Sequence, residues 1–369
     1  MTEPLPQPDL SLRPREYLLV PLAAAVSAMF MFGLPPVGMP MVAAVLGRLI
    51  YSGSVGLAAT TVGLSVVVTA AYNMWLLGGQ EGPVSASMPA VAGMPPALMV
   101  LGVCLVLWWA AGAVRRMAAG RVFAVVTGVS FLSYLAAWAS AAAAGGATLT
   151  EAVSAEVDAA MAQIGPMLEP GLSGPVAEQV QYLIRTMVIQ SWPGTSLVLV
   201  MLGAVWSTIF LARLAAAHGY VVTTARPVPY FDAPAWVSLP VLAGAGTVMF
   251  MLLRGTQDTV TGGVALNVAI VFGAVVVAQG FAVSEAFMRR VRLGVVARTL
   301  IYGLLLWLTG LVPVLFVLGL TDMWLNLRRL PRGGPGPGGG AAVRDEADKD
   351  VGLDDASMGE EGPGGPGLE

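Results

Sequence analysis

The chain of 369 residues is 56 % hydrophobic and 11 % charged, with a mean hydropathy of +0.77. An ordinary soluble chain carries ~25 % charged residues, so a water-soluble globule is excluded. The net charge of −3 conceals a division at Arg332: up to it seventeen arginines face thirteen acids, and beyond it nine acids face Arg344 and Lys349, so a cationic membrane domain carries an acidic tail.

Residues 1–16 are polar and proline-rich, with Arg13 and Arg15 before the first apolar run. No cleavage site of small residues follows a short apolar core, so the first span, about Tyr17–Leu34, reads as a retained anchor. Pro35-Pro36 ends it. A shorter span, about Val37–Tyr51, carries Arg48 where it can snorkel to the interface. The third, about Ser54–Leu77, bears Thr60, Thr61, Ser65 and Thr69, with Tyr72, Asn73 and Trp75 at its far end. The fourth, about Pro96–Val114, closes on Arg115 and Arg116, and the fifth runs from about Val122 to Ala144.

Composition then shifts. Between Gly145 and Trp192 stand Glu151, Glu156, Asp158, Glu169 and Glu178 against Arg185. Thr148 and Glu151 form a capping box, and Val153, Val157, Met161 and Ile164 fall on one helical face. A second amphipathic stretch from Pro175 aligns Val180, Leu183, Ile184, Met187 and Val188. Neither piece is apolar enough to cross, so two helices lying on the outer surface are expected.

Span six is about Gly194–Ala216 and span seven about Trp236–Leu253. Span eight lies in Val264–Arg292, where about twenty apolar residues match a bilayer core of ~30 Å. Ala274, Ala278, Ala282 and Ala286 recur every four residues. In lipid, close backbone approach over small residues carries helix association, so this ridge predicts a helix in the middle of the bundle, with Gln279 beside it in need of a partner. The last apolar stretch, about Thr299–Leu327, is long for one untilted crossing and is broken near Pro313; a hairpin is favoured over a tilted single helix. Residues 331–369 are Gly/Pro-rich and acidic and are expected to be disordered. The expected fold is an all-α polytopic transmembrane bundle of about nine or ten spans. It divides into an N-terminal bundle (17–144), the extracytoplasmic pair (145–192) and a C-terminal bundle (193–330). Arginine asymmetry places both termini in the cytoplasm, as in the inner membrane of a bacterium.

Scarcity excludes several chemistries. Lys349, His218 and Cys104 are the only residues of their types. A Walker-type phosphate loop needs a lysine outside an acidic run, and Cys/His zinc sites need several ligands. A serine triad has only His218, which reads as a solvated residue at a helix C-terminus. Cys104 reads as packing. No metal, cofactor or nucleic-acid module is expected, and no catalytic residue is assigned. Polar groups within spans remain as candidates, because leaving them unpaired in hydrocarbon is costly. Asn73, Asn267 and Gln279 are the candidate substrate-binding residues, each set against the simpler role of an interhelical hydrogen bond. Asp322 with Arg328 is read as an interfacial ion pair fixing the last helix.

Three motifs occur in order: Pro234, Trp236 and Pro240 in PAWVSLP; AQGFAV at Ala278–Val283; and LGLTDMWLNLRR at Leu318–Arg329. This succession resembles the YybS-type family of uncharacterised bacterial multi-pass membrane proteins, over about residues 17–330. The N-terminal half of that family is similar to the substrate-capture subunits of energy-coupling-factor transporters, which dock on a transmembrane coupling subunit through an Ala-xxx-Ala face. Ala24 and Ala28 have that spacing. The resemblance implies a non-ATPase small-molecule binding or transport subunit. The alternative is a cell-envelope scaffold or assembly factor without a substrate. An outward cavity lined by Asn73, Asn267 or Gln279 would favour capture; a solid bundle with an exposed apolar groove would favour scaffolding.

Overall fold

The computed structural model describes residues 16–78, 88–168, 175–220, 222, 230–254, 259–294, 297–298, 300–301 and 312–328. Ten helices account for most of them: α1 (Glu16–Gly33), α2 (Pro35–Tyr51), α3 (Val55–Gly78), α4 (Met88–Ala113), α5 (Ala119–Ala144), α6 (Leu149–Leu168), α7 (Pro175–Ala217), α8 (Ser238–Arg254), α9 (Thr259–Arg290) and α10 (Val312–Leu325). No strand occurs among the described residues. The expected all-α polytopic fold is the observed one. Among the described residues five helices are long and apolar enough to cross a membrane, and four shorter apolar ones lie at Pro21–Met31, Pro35–Tyr51, Ala235–Met251 and Val312–Leu325.

Local chemistry explains the punctuation. Pro35 opens α2, where its missing N–H costs nothing because the first-turn donors have no helical partner. Gly38 lets α2 fold back on α1: a Cβ there would lie 2.6 Å from the Met31 nitrogen. The described residues up to Leu325 form one compact unit, and Asn326, Leu327 and Arg328 belong to the next. Within the first, one apolar core joins α1–α5 to α7, with Met39, Leu46, Leu107 and Leu211 fully buried. A smaller core holds Val237, Val241, Val276 and Met323 where α8, α9 and α10 meet.

Three expectations need correction. The stretch from Pro175 is not a separate surface helix. It continues through Pro193 into span six as one α7 of 43 residues, ~64 Å at the helical rise and about twice a bilayer core. Only α6 stands as an independent amphipathic helix, and Trp192-Pro193-Gly194 is an internal irregularity instead of a boundary.

Second, α9 is not the centre of the bundle. Its apolar window is 17 % buried, the least of the five long spans, whereas that of α4 is 61 % buried.

Third, the alanine ridge is not the packing line. Ala282 is buried and Ala274 and Ala286 half-buried, but Ala278 is exposed. Close approach needs small residues on both partners at one crossing, and α9 finds this two positions along: a Cβ on Gly280 would lie 1.9 Å from the Leu315 carbonyl oxygen, and one on Gly319 would lie 1.9 Å from that of Val276. Whether 299–327 forms a hairpin turns on residues 302–311, which lie outside the described residues, as do 1–15 and the tail from 329 onward.

Candidate functional site

The contact of Gly280 with α10 sets Gln279 beside it in a fully buried position. Its Oε1 accepts from the Ala233 backbone N–H at 3.0 Å. Its Nε2 donates to Asp322 Oδ2 at 2.8 Å and to Asp232 Oδ1 at 3.2 Å. One amide thus ties together the chain entering α8, the middle of α9 and the end of α10. Trp236 meets the Phe272 ring edge-on at 6.2 Å and closes the same junction. A buried amide with both ends engaged is a strut, as the simpler of the two sequence readings holds. Asp232 is the member that sequence reasoning missed. Its signal was position: an acid directly before Ala-Pro at a helix entrance.

Asn267 solves a different problem. Pro193 interrupts the α7 ladder, and the groups of the next rung, the Gln190 carbonyl and the Gly194 N–H, both turn to the Asn267 amide. Gly194 N–H donates to Asn267 Oδ1, while Asn267 Nδ2 donates to Gln190 O at 2.7 Å and to Gly263 O at 2.6 Å. The side chain of α9 therefore splices α7 at its proline. Gly194 is glycine because the Asn267 backbone lies only 3.1 Å from where a Cβ would be. Trp192, just before the proline, stacks with Tyr134 at 6.2 Å and meets Trp138 at 5.5 Å, which fixes α7 against α5.

Asn73 lies elsewhere, half-buried on α3, with Nδ2 bonded to the Thr69 carbonyl of its own helix at 2.8 Å. Among the described residues the hydrogen-bond partners of the three amides are three separate sets, not gathered around a common space. On α3, Thr61 donates to Leu57 O at 2.7 Å, but Ser65 Oγ and Thr69 Oγ1 are buried without a hydrogen-bond partner among the described residues.

Asp322 is fully buried; Arg328, its expected partner, belongs to the following unit and is itself buried. Ala24 and Ala28 are completely buried by the chain's own helices. At the arginine-rich end Glu285 accepts from Arg289 Nε at 2.8 Å and from Arg298 at 2.9 Å. Arg115 lies over the Tyr220 ring at 4.3 Å and the Tyr51 ring at 5.3 Å. His218 is half-buried against Tyr51, with Nδ1 on the Leu214 carbonyl at 2.7 Å, not a solvated loop residue.

At the other end the capping box forms as read. Thr148 N–H donates to Glu151 Oε2 at 2.7 Å, Glu151 N–H donates to Thr148 Oγ1 at 3.3 Å, and the Thr148 N–H holds the Glu151 carboxyl below the usual range. Arg185 of α7 grips α6, donating to Ser154 Oγ at 2.7 Å and to Asp158 Oδ2 at 2.9 Å, and its hydrogen bond lowers the Asp158 carboxyl likewise. Beyond that clamp Tyr182, Leu183, Met187 and Val188 are exposed. An apolar cleft of ≈ 400 Å³ lies along α8 and α9, and none of the three amides lines it.

Compared with curated proteins and with solved structures, the chain finds no match. A family model described as "Predicted membrane protein (DUF2232)" matches residues 18–323, nearly the whole helical body, and the chain belongs to that family of membrane proteins.

Proposed function

We propose that this protein is a non-enzymatic multi-pass scaffold or assembly subunit of a bacterial cytoplasmic membrane, with both termini cytoplasmic and the α6–α7 arm reaching envelope partners outside. The supporting observation is the use of its intramembrane amides. Gln279 and Asn267, the groups best suited to read a solute, are engaged as struts between helices. The exterior meanwhile offers an arm clamped by Arg185 and bearing exposed Leu183 and Met187.

The second reading, a small-molecule capture subunit, draws on the buried and unpartnered hydroxyls of Ser65 and Thr69 in the half that resembles capture subunits of energy-coupling-factor transporters. It also keeps the likeness to YybS-type proteins.

Purification of the full chain from native membranes separates the two. A defined partner that is retained by the wild type and lost from Leu183→Asp/Met187→Asp supports scaffolding. A metabolite that stabilises the wild type but not Ser65→Ala/Thr69→Val supports capture and overturns the first reading.

A further inference from the structure

We propose that the seam between α8 and α9 binds one anionic phospholipid, its acyl chain lying in the groove and its phosphate on Arg254. The groove is walled by Pro240, Ala243 and Thr247 on one side and Val260, Val264 and Val268 on the other. Thr247 Oγ1 donates to the Ala243 carbonyl at 2.8 Å, so its hydroxyl is turned to its own helix and the wall it leaves is apolar. The backbones touch beneath, where a Cβ on Gly244 would lie 2.6 Å from the Ala265 oxygen.

Size selects the occupant. From Pro240 to Thr247 the groove runs for ~10 Å at the helical rise, so ≈ 400 Å³ corresponds to a cross-section of roughly 40 Å². A section of that size accepts an extended hydrocarbon chain along its length, whereas a second copy of this chain or a partner's span would lay only side chains into it.

Charge selects the headgroup. Pro240, Ala243, Thr247, Phe250 and Arg254 follow one another at three- and four-residue steps, so Arg254 stands on the groove's own face of α8, ~10 Å beyond Thr247. Its guanidinium carbon lies 4.7 Å over the Phe250 ring. The side chain is exposed, and no carboxylate among the described residues is seen to pair with it. The Asn267 bridge to Gln190 and Gly194 places the start of α9, and with it the end of α8, towards the end of the bundle that carries α6. Arg185, the other described arginine there, is already held by Asp158 and Ser154. A planar guanidinium matches a phosphate with two parallel hydrogen bonds, and this one is placed where a headgroup would meet an inserted chain.

The test uses the full chain in phosphatidylcholine nanodiscs with phosphatidylglycerol titrated in, and reads bound lipid by native mass spectrometry. Arg254→Gln, at an exposed position, is expected to weaken retention of phosphatidylglycerol about tenfold and leave phosphatidylcholine unchanged. Ala243→Phe fills the groove and should release both lipids. Equal retention of phosphatidylglycerol by the wild type and Arg254→Gln would overturn the assignment. So would conversion of a dimer to a monomer by Ala243→Phe, since a second copy would then be the occupant.

Discussion

Replacing Gln279 by Leu and by Glu tests the junction of α8, α9 and α10 in two ways that should differ in size. Leucine removes the bonds to Ala233, Asp232 and Asp322 and keeps an apolar side chain in place. At the ~0.6 kcal/mol average for interhelical bonds in a bilayer, three such losses come to about 2 kcal/mol. Glutamate keeps shape and the Ala233 bond, but turns two donor contacts, at 2.8 and 3.2 Å, into contacts between carboxylates. At an effective dielectric of about 20, each would repel by about 5 kcal/mol. Gln279→Glu should therefore destabilise more than Gln279→Leu. Reversible unfolding in mixed micelles with increasing dodecyl sulfate measures both. If Gln279→Leu matches the wild type, or if Gln279→Glu is no worse than Gln279→Leu, the amide is not the strut described here.

Gly280→Ala should cost about 1–3 kcal/mol, because a Cβ 1.9 Å from the Leu315 oxygen forces α9 and α10 apart. Gly273→Ala, whose nearest neighbour would be Phe316 at 3.9 Å, is the matched control, expected within about 0.5 kcal/mol of the wild type in the same titration. Asn267→Leu removes two interhelical bonds, a loss of about 1–3 kcal/mol, and amide exchange around residues 190–194 should quicken; unchanged exchange there would refute the splice at Pro193. The cap of α6 should depend on pH. The Glu151 carboxyl lies below its unfolded value, so its support is present above that value and is lost as pH falls through the lower folded one. Exchange at 149–155 should rise across that acid window in the wild type, and the step should vanish in Glu151→Gln.

The membrane character, the order of the apolar helices and the capping box of α6 were legible along the chain, because span length, charge scarcity and cap chemistry are local properties. So was the need of Gln279 for a partner, since an amide in hydrocarbon demands one wherever it points. Which face of α9 turns inward was not legible. In a soluble helix the apolar stripe marks the core, but in a bilayer lipid and core are equally apolar, so the regular alanines of α9 carried no direction. The glycine on α10 that answers Gly280 decided it, as did the convergence of Asp232 and Asp322, ninety residues apart, on a single nitrogen. The role of Asn267 was beyond reach for the same reason: a proline on one helix leaves two backbone groups open, and only the packed structure shows which neighbour supplies the amide that closes them.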